Sequence, residues 1–117
     1  MSNCMKKIIL IIIAVLLCGC TKQFLNDTEL NEIIKKDNYI IIDVRTKEEY
    51  DELHVKDSIN IPYDEITKET EINKNKTILV YCRSGKRSNI AYQTLKQLGY
   101  EVYDLGSIDN IKLEKVK

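Results

Sequence analysis

Thr77-Ile78-Leu79-Val80-Tyr81, followed directly by Cys82-Arg83-Ser84-Gly85-Lys86-Arg87-Ser88, sets a short apolar, β-branched run against a cation-rich loop. The run is continuously apolar and is preceded by the polar turn Asn73-Lys74-Asn75-Lys76. That is the pattern of a strand covered on both faces in a parallel sheet. Downstream, Ala91, Leu95 and Leu98 recur at helical spacing between Ser88 and Leu98, and Gly99 stands where a left-handed cap ends a helix. Strand, loop and helix in this order place Cys82 at the carboxyl end of a strand, where open parallel sheets form their binding sites.

Working outward, Tyr39-Ile40-Ile41-Ile42-Asp43 repeats the buried-strand pattern, and Glu101 to Leu105 supplies a third short strand. Asp27-Thr28-Glu29 opens a helix that turns Leu30, Ile33 and Ile34 to one side. Thr46 and Glu49 have capping-box spacing, which predicts a helical turn or two from Lys47 that carries Tyr50 and Leu53 inward. Pro62 keeps Ile59-Asn60-Ile61 extended, and a weak helix is expected over Tyr63 to Thr70. Residues 107–117 fit a short helix or a frayed tail equally well. Strands alternating with helices through short loops predict a three-layer α/β/α domain with a mostly parallel central sheet.

The chain is 117 residues with 44% hydrophobic content, enough for one domain with a core. Its 18 basic and 18 acidic side chains leave no cationic excess to hold a nucleic acid. Lys6 and Lys7 precede an apolar run from Ile8 to Leu17, too short to span a bilayer comfortably and shaped like a secretory signal. The end of that run, Leu17-Cys18-Gly19-Cys20, resembles the lipobox of bacterial lipoproteins. The resemblance implies a signal peptide over 1–19, lipidation of Cys20, a tether over 20–26 and a folded domain over 27–117. The protein would then be extracytoplasmic and anchored to the bacterial membrane by lipid.

Processing of that kind discards Cys4 and Cys18 and blocks Cys20, so that Cys82 alone keeps a thiol and no internal disulfide can form. One Cys and one His, His54, fall short of a structural zinc site. The chain has three arginines, at 45, 83 and 87, and two of them lie within five residues of that thiol. The thiolate is the reactive form of cysteine, and cations, backbone amides and a helix start favour it. Gly85 lets the backbone curl so that amides converge, and Arg83, Lys86 and Arg87 add positive charge, an arrangement suited to a thiolate or persulfide and to an oxyanion donor.

These segments together resemble the single-domain rhodaneses: Asp43-Val44-Arg45, Glu49-Tyr50, the stretch from His54 to Pro62, the loop from Cys82 to Ser88, and Leu98-Gly99-Tyr100 before a strand. The likeness covers about residues 27 to 106. It implies that Cys82 is the nucleophile that becomes a persulfide, and that the backbone of Arg83, Ser84, Gly85, Lys86 and Arg87 cradles the anion. The side chains of Arg83, Lys86 and Arg87 would attract or orient the donor, with Asp43, Arg45 and Ser88 as structural support. Glu48, Glu49, Asp51 and Glu52 are expected to form a solvated helix face, and His54 to be structural.

Phosphatases of related loop place five residues between Cys and Arg, whereas Cys82 and Arg87 are separated by four. The tighter loop suits a sulfur atom already on the cysteine. The chain departs from the family at Leu53 and Asp57, where Gly is usual, at Ser58, where Ala is usual, and at Gly106-Ser107-Ile108, where a second Gly and a nearby Trp are missing. The expected activity is sulfur transfer from a donor such as thiosulfate, through a Cys82 persulfide, to cyanide or a thiol. No cofactor is required, and the partners are a small sulfur-containing anion or thiol and, through the lipid, the membrane. The alternative is a sulfide or persulfide carrier or protein-interaction module on the cell surface that does not turn over, with a phosphatase of the same fold as a minor alternative.

Overall fold

The computed structural model describes residues 22–117. The proposed signal peptide, Cys20 and the other N-terminal cysteines lie outside the described residues. Helix α1 (Asp27–Lys36) begins after Asn26, whose side chain accepts from the Glu29 amide while the Glu29 carboxylate accepts from the Asn26 amide. Strand β1 (Tyr39–Asp43) follows two residues after α1. Thr46 and Glu49 form the same reciprocal box at the start of α2 (Lys47–Glu52). Each box satisfies amides that a helix start leaves without partners.

Short strands β2 (His54–Val55) and β3 (Ile59–Asn60) come next, then β4 (Thr77–Cys82), α3 (Lys86–Gln97), β5 (Val102–Ser107) and β6 (Lys115–Val116). The main sheet has the order β3-β1-β4-β5 with every pairing parallel. The central strands β1 and β4 are short and largely apolar because both faces of the sheet are covered. Ile42, Ile78 and Val80 pack with Ala91, Tyr92 and Leu95 of α3 on one side. Ile41, Leu79 and Tyr81 pack with Leu30 of α1 and with Ile108 and Ile111 on the other. Each such side chain, fully buried, contributes about 1.5–3 kcal/mol. The result is the expected α/β/α layering.

Several expectations are corrected. The stretch Tyr63 to Thr70 holds only one 3-10 turn, Tyr63–Glu65, because after it the chain is pinned by Ile66 in the core rather than by helical periodicity. Leu53 does not point inward: it is 40% exposed, in extended geometry at the end of α2. The C-terminal stretch is ordered, with a 3-10 turn at Ile108–Asn110 and β6 paired antiparallel to β2. Gln23 and Phe24, read as part of a tether, lie along β5: the Gln23 carbonyl accepts from the Asp104 amide and Phe24 bridges Asp104 in parallel. Sequence patterning misses these last contacts because each is a single long-range pairing with no local period.

Candidate active site

Cys82 is the last residue of β4 and is buried. Gly85 turns the chain with φ +97°, a left-handed geometry that glycine adopts without Cβ strain. The turn brings the Gly85 N–H to 2.9 Å from Cys82 Sγ. Ser88, also buried, donates its hydroxyl proton to the Gly85 carbonyl at 3.1 Å and stands 3.5 Å from the sulfur. Ser107 at the end of β5 holds the other side of the loop by donating to the Arg83 carbonyl at 2.5 Å.

Helix α3 starts at Lys86, two residues before the expected Ser88, because Gly85 feeds the chain directly into helical geometry. Its N-cap is that glycine, and no side chain caps it. Whereas α1 and α2 close their starts with capping boxes, α3 opens its start, with the positive end of its dipole, beside the sulfur. Lys86 and Arg87 therefore occupy the first turn, where cations cost about 0.3–1 kcal/mol each. A structure that tolerates this cost next to a cysteine is arranged to stabilise negative charge there.

Arg87 is not free to orient a donor. Its guanidinium makes a bidentate pair with Glu49, at 2.7 and 3.0 Å. Glu49 is accordingly not part of a solvated acidic face. It closes the α2 capping box and clamps that box to the first turn of α3 with one carboxylate. The capping-box spacing revealed the local half of this role; the link to Arg87, 38 residues away, has no local signal. Arg83 and Lys86 make no side-chain ion pair among the described residues, and they remain the cations available to a ligand.

The hydrogen bonds from Arg87, opposed by partial burial and reinforced by the Thr46 amide and hydroxyl, hold the Glu49 carboxyl down to about 2 from 4.5. A folded-state value below the unfolded one contributes stability that is complete above pH 4.5 and is lost as pH falls toward 2. At neutral pH the full shift corresponds to about 3.4 kcal/mol, which solvent screening at this partly exposed pair reduces to about 2–3 kcal/mol. Glu49→Gln is therefore expected to lower the unfolding free energy measured at pH 7 by about that amount. The gap from wild type should narrow steadily from about pH 4.5 down toward pH 2; a gap that stays constant with pH would contradict the assignment.

Asp43 and Arg45 pair with each other. Arg45 Nε and Nη2 donate to the two Asp43 oxygens at 2.9 and 2.7 Å, the Arg45 amide donates to Asp43 at 2.9 Å, and Nη2 also reaches the Leu53 carbonyl at 2.5 Å. Asn60 donates to the Asp43 and Arg45 carbonyls, so that the turn after β1 is fully tied. His54 is structural: its ring stacks on Tyr50 at 3.8 Å, and Nδ1 is bonded to the Tyr50 carbonyl at 2.7 Å.

The departures from the family pattern acquire physical reasons. Asp57 takes the left-handed geometry with φ +68°, which Asp tolerates better than most residues. The Ser58 hydroxyl donates to the Val55 carbonyl at 2.6 Å and lies 3.2 Å from the Tyr81 hydroxyl, which in turn accepts from the Val55 amide at 3.0 Å. Burial pushes the Tyr81 phenol up to about 12, so it stays protonated and donates to Ser58. This chain of bonds fixes β2 to the residue before Cys82. Beside the loop, with which it shares Arg83, lies an open pocket of about 210 Å³, lined also by Arg45, by residues from α2 and by the turn after β5.

The sequence matches the family described as Rhodanese-like domain over residues 26–114. It is 39% identical over 80 residues to thiosulfate sulfurtransferase PspE of Escherichia coli, which covers 65% of this chain and 77% of that protein. It is 34% identical over 76 residues to thiosulfate sulfurtransferase GlpE of Coxiella burnetii, covering 63% of this chain and 71% of the relative. Among solved structures, an anion-bound rhodanese from E. coli superimposes with a TM-score of 0.62 at 39% identity, over 68% of this chain and 98% of that one. A rhodanese-related protein from Thermoplasma volcanium does so with a TM-score of 0.67 at 33% identity, over 80% and 97%.

Proposed function

This chain belongs to the rhodanese-like domain family, and on that premise we propose that it is a thiosulfate sulfurtransferase working through Cys82. The observation that carries this reading is the sulfur itself, set 2.9 Å from the Gly85 amide at the uncapped start of α3. The Cys82 thiolate attacks the outer sulfur of thiosulfate. A bond from Sγ to that sulfur forms, the bond to the sulfonate sulfur breaks, and its electron pair leaves with sulfite. The persulfide anion inherits the stabilisation offered by the Gly85 amide and the helix start. An acceptor nucleophile then attacks the outer sulfur, and Sγ departs with the bonding pair as the restored thiolate.

Arg83 and Lys86, which make no side-chain ion pair among the described residues, attract the dianionic donor, while Arg87 and Glu49 act as a structural clamp. Intact-mass measurement after exposure to thiosulfate tests the first half-reaction. One added sulfur atom, removed again by cyanide as thiocyanate, is the expected result. No adduct with thiosulfate, polysulfide or thiosulfonate would leave a carrier module as the better reading.

The sequence features at the N-terminus support an extracytoplasmic, lipid-anchored protein, with residues 1–19 removed and 27–117 as the sulfurtransferase domain. Several acyl chains on Cys20 would hold it firmly to a bilayer. The full chain expressed in a bacterium should incorporate radioactive fatty acid, and Cys20→Ser should lose the label completely. Label persisting in that variant contradicts the anchor.

A further inference from the structure

The pocket that adjoins the loop at Arg83, the residue directly after Cys82, is lined by five ionic side chains, and two of them are already used: Arg45 is paired with Asp43, and Glu49 with Arg87. The remaining three are the Arg83 guanidinium and the carboxylates of Glu52 and Asp109. Among the described residues none of these three makes an ion pair. They come from three separate parts of the chain: the loop after β4, the end of α2 and the turn after β5. Leu53, exposed at the pocket wall, adds a small apolar surface between the charges. At about 210 Å³ the space is below the ~300–1,000 Å³ of pockets that take drug-sized ligands, so its occupant is small.

A donor dianion needs only cations, so two unpaired carboxylates at the mouth do nothing for it. They suit a second ligand that carries an ammonium group, while Arg83 suits a carboxylate on that same ligand. We propose that this pocket is the sulfur-acceptor subsite and that it selects a small zwitterionic aminothiol. Arg83 receives the carboxylate, Glu52 and Asp109 receive the ammonium, and the ligand's thiolate faces the loaded loop. The inference rests on the reading of Cys82 as a persulfide carrier. In the step itself the acceptor thiolate attacks the outer sulfur of the persulfide anion, which passes to the acceptor with its negative charge as the acceptor's own persulfide anion. The new S–S bond forms as the Sγ–S bond breaks, the pair returns to Cys82, and no other reductant or oxidant is needed.

Because the three charges are solvent-exposed, each contact is worth about 0.2–1 kcal/mol, or roughly 1.5- to 5-fold in rate, and is screened by salt. The test uses the full domain loaded with thiosulfate, freed of excess donor, and followed by mass for loss of the added sulfur in a single turnover. Three probes share a short skeleton: cysteine, cysteamine, which lacks the carboxylate, and mercaptopropionate, which lacks the amine. Their intrinsic reactivities differ, so the quantity read is how each rate ratio changes between wild type and variant, in which common factors cancel.

Arg83→Gln should lower the cysteine-to-cysteamine ratio by about 1.5- to 5-fold. Glu52→Gln combined with Asp109→Asn should lower the cysteine-to-mercaptopropionate ratio by a similar factor, and both effects should fade in high salt. Ratios that stay unchanged in either variant, or that rise, would overturn the proposal. Failure of the wild type to take up sulfur at all would instead overturn the sulfurtransferase reading, so the two failures are distinguishable.

Discussion

Cys82→Ser is expected to reduce the conversion of thiosulfate and cyanide to thiocyanate by at least ~10³-fold, to the level of the reaction without protein. A hydroxyl cannot form the S–S bond that stores the transferred atom, so no adduct should appear by mass either. The substitution should barely disturb the fold. The residue is buried, the oxygen is a near-isostere, and the Gly85 amide at 2.9 Å and Ser88 at 3.5 Å can both bond to it. Thermal unfolding of the variant should therefore stay within a few degrees of wild type, at about 1 kcal/mol or less. Retention of substantial turnover by a well-folded variant would move the chemistry away from this loop altogether.

Arg45→Met should have the largest effect on stability, costing about 3–5 kcal/mol. The side chains of Arg45 and Asp43 are 7% and 0% exposed, so removing the guanidinium leaves a carboxylate in the interior without its charge partner. It also abandons the Leu53 carbonyl, which Arg45 reaches at 2.5 Å. For a domain of this size, the melting temperature should fall by more than ~10 °C. Adding Asp43→Asn to that variant should recover part of the loss, because it removes the orphaned charge. A fall of no more than a degree or two in the single variant would mean that the pair contributes little, and that the turn after β1 is held by Asn60 alone.

The parts of this molecule written locally were legible in the sequence. Tyr39–Asp43 and Thr77–Cys82 read as buried strands because both faces of the sheet are covered, so successive positions between Tyr39 and Ile42 and between Ile78 and Cys82 select apolar residues. Thr46 and Glu49 announced the start of α2 because a capping box is complete within four residues. Cys82, Gly85 and the cations around them pointed to anion chemistry for the same reason: loop, glycine and helix start are contiguous. The turn Asp43-Val44-Arg45 entered through the family likeness as structural support, and the fold shows the ion pair inside it.

What depended on distance was not legible. Leu53 satisfied the helical spacing that should have buried it, yet α2 ends there and its carbonyl is drawn to Arg45 while its side chain faces the pocket. Glu49 looked like one acid among four until the fold set it against Arg87. The tail after Ser107 had too few apolar residues to declare a period, and its order comes from β2, sixty residues upstream.

By itself, then, the sequence determined the α/β layering, the position of the reactive sulfur at a strand end and the backbone turn that brings an amide to it. Each of these arises from periodicity and backbone geometry over a few adjacent residues. Only the tertiary structure decided which charges around that sulfur are consumed and which stay available. Ion pairing depends on side-chain separation in space, and the pairing of Arg87 with Glu49 joins groups that chain order keeps far apart.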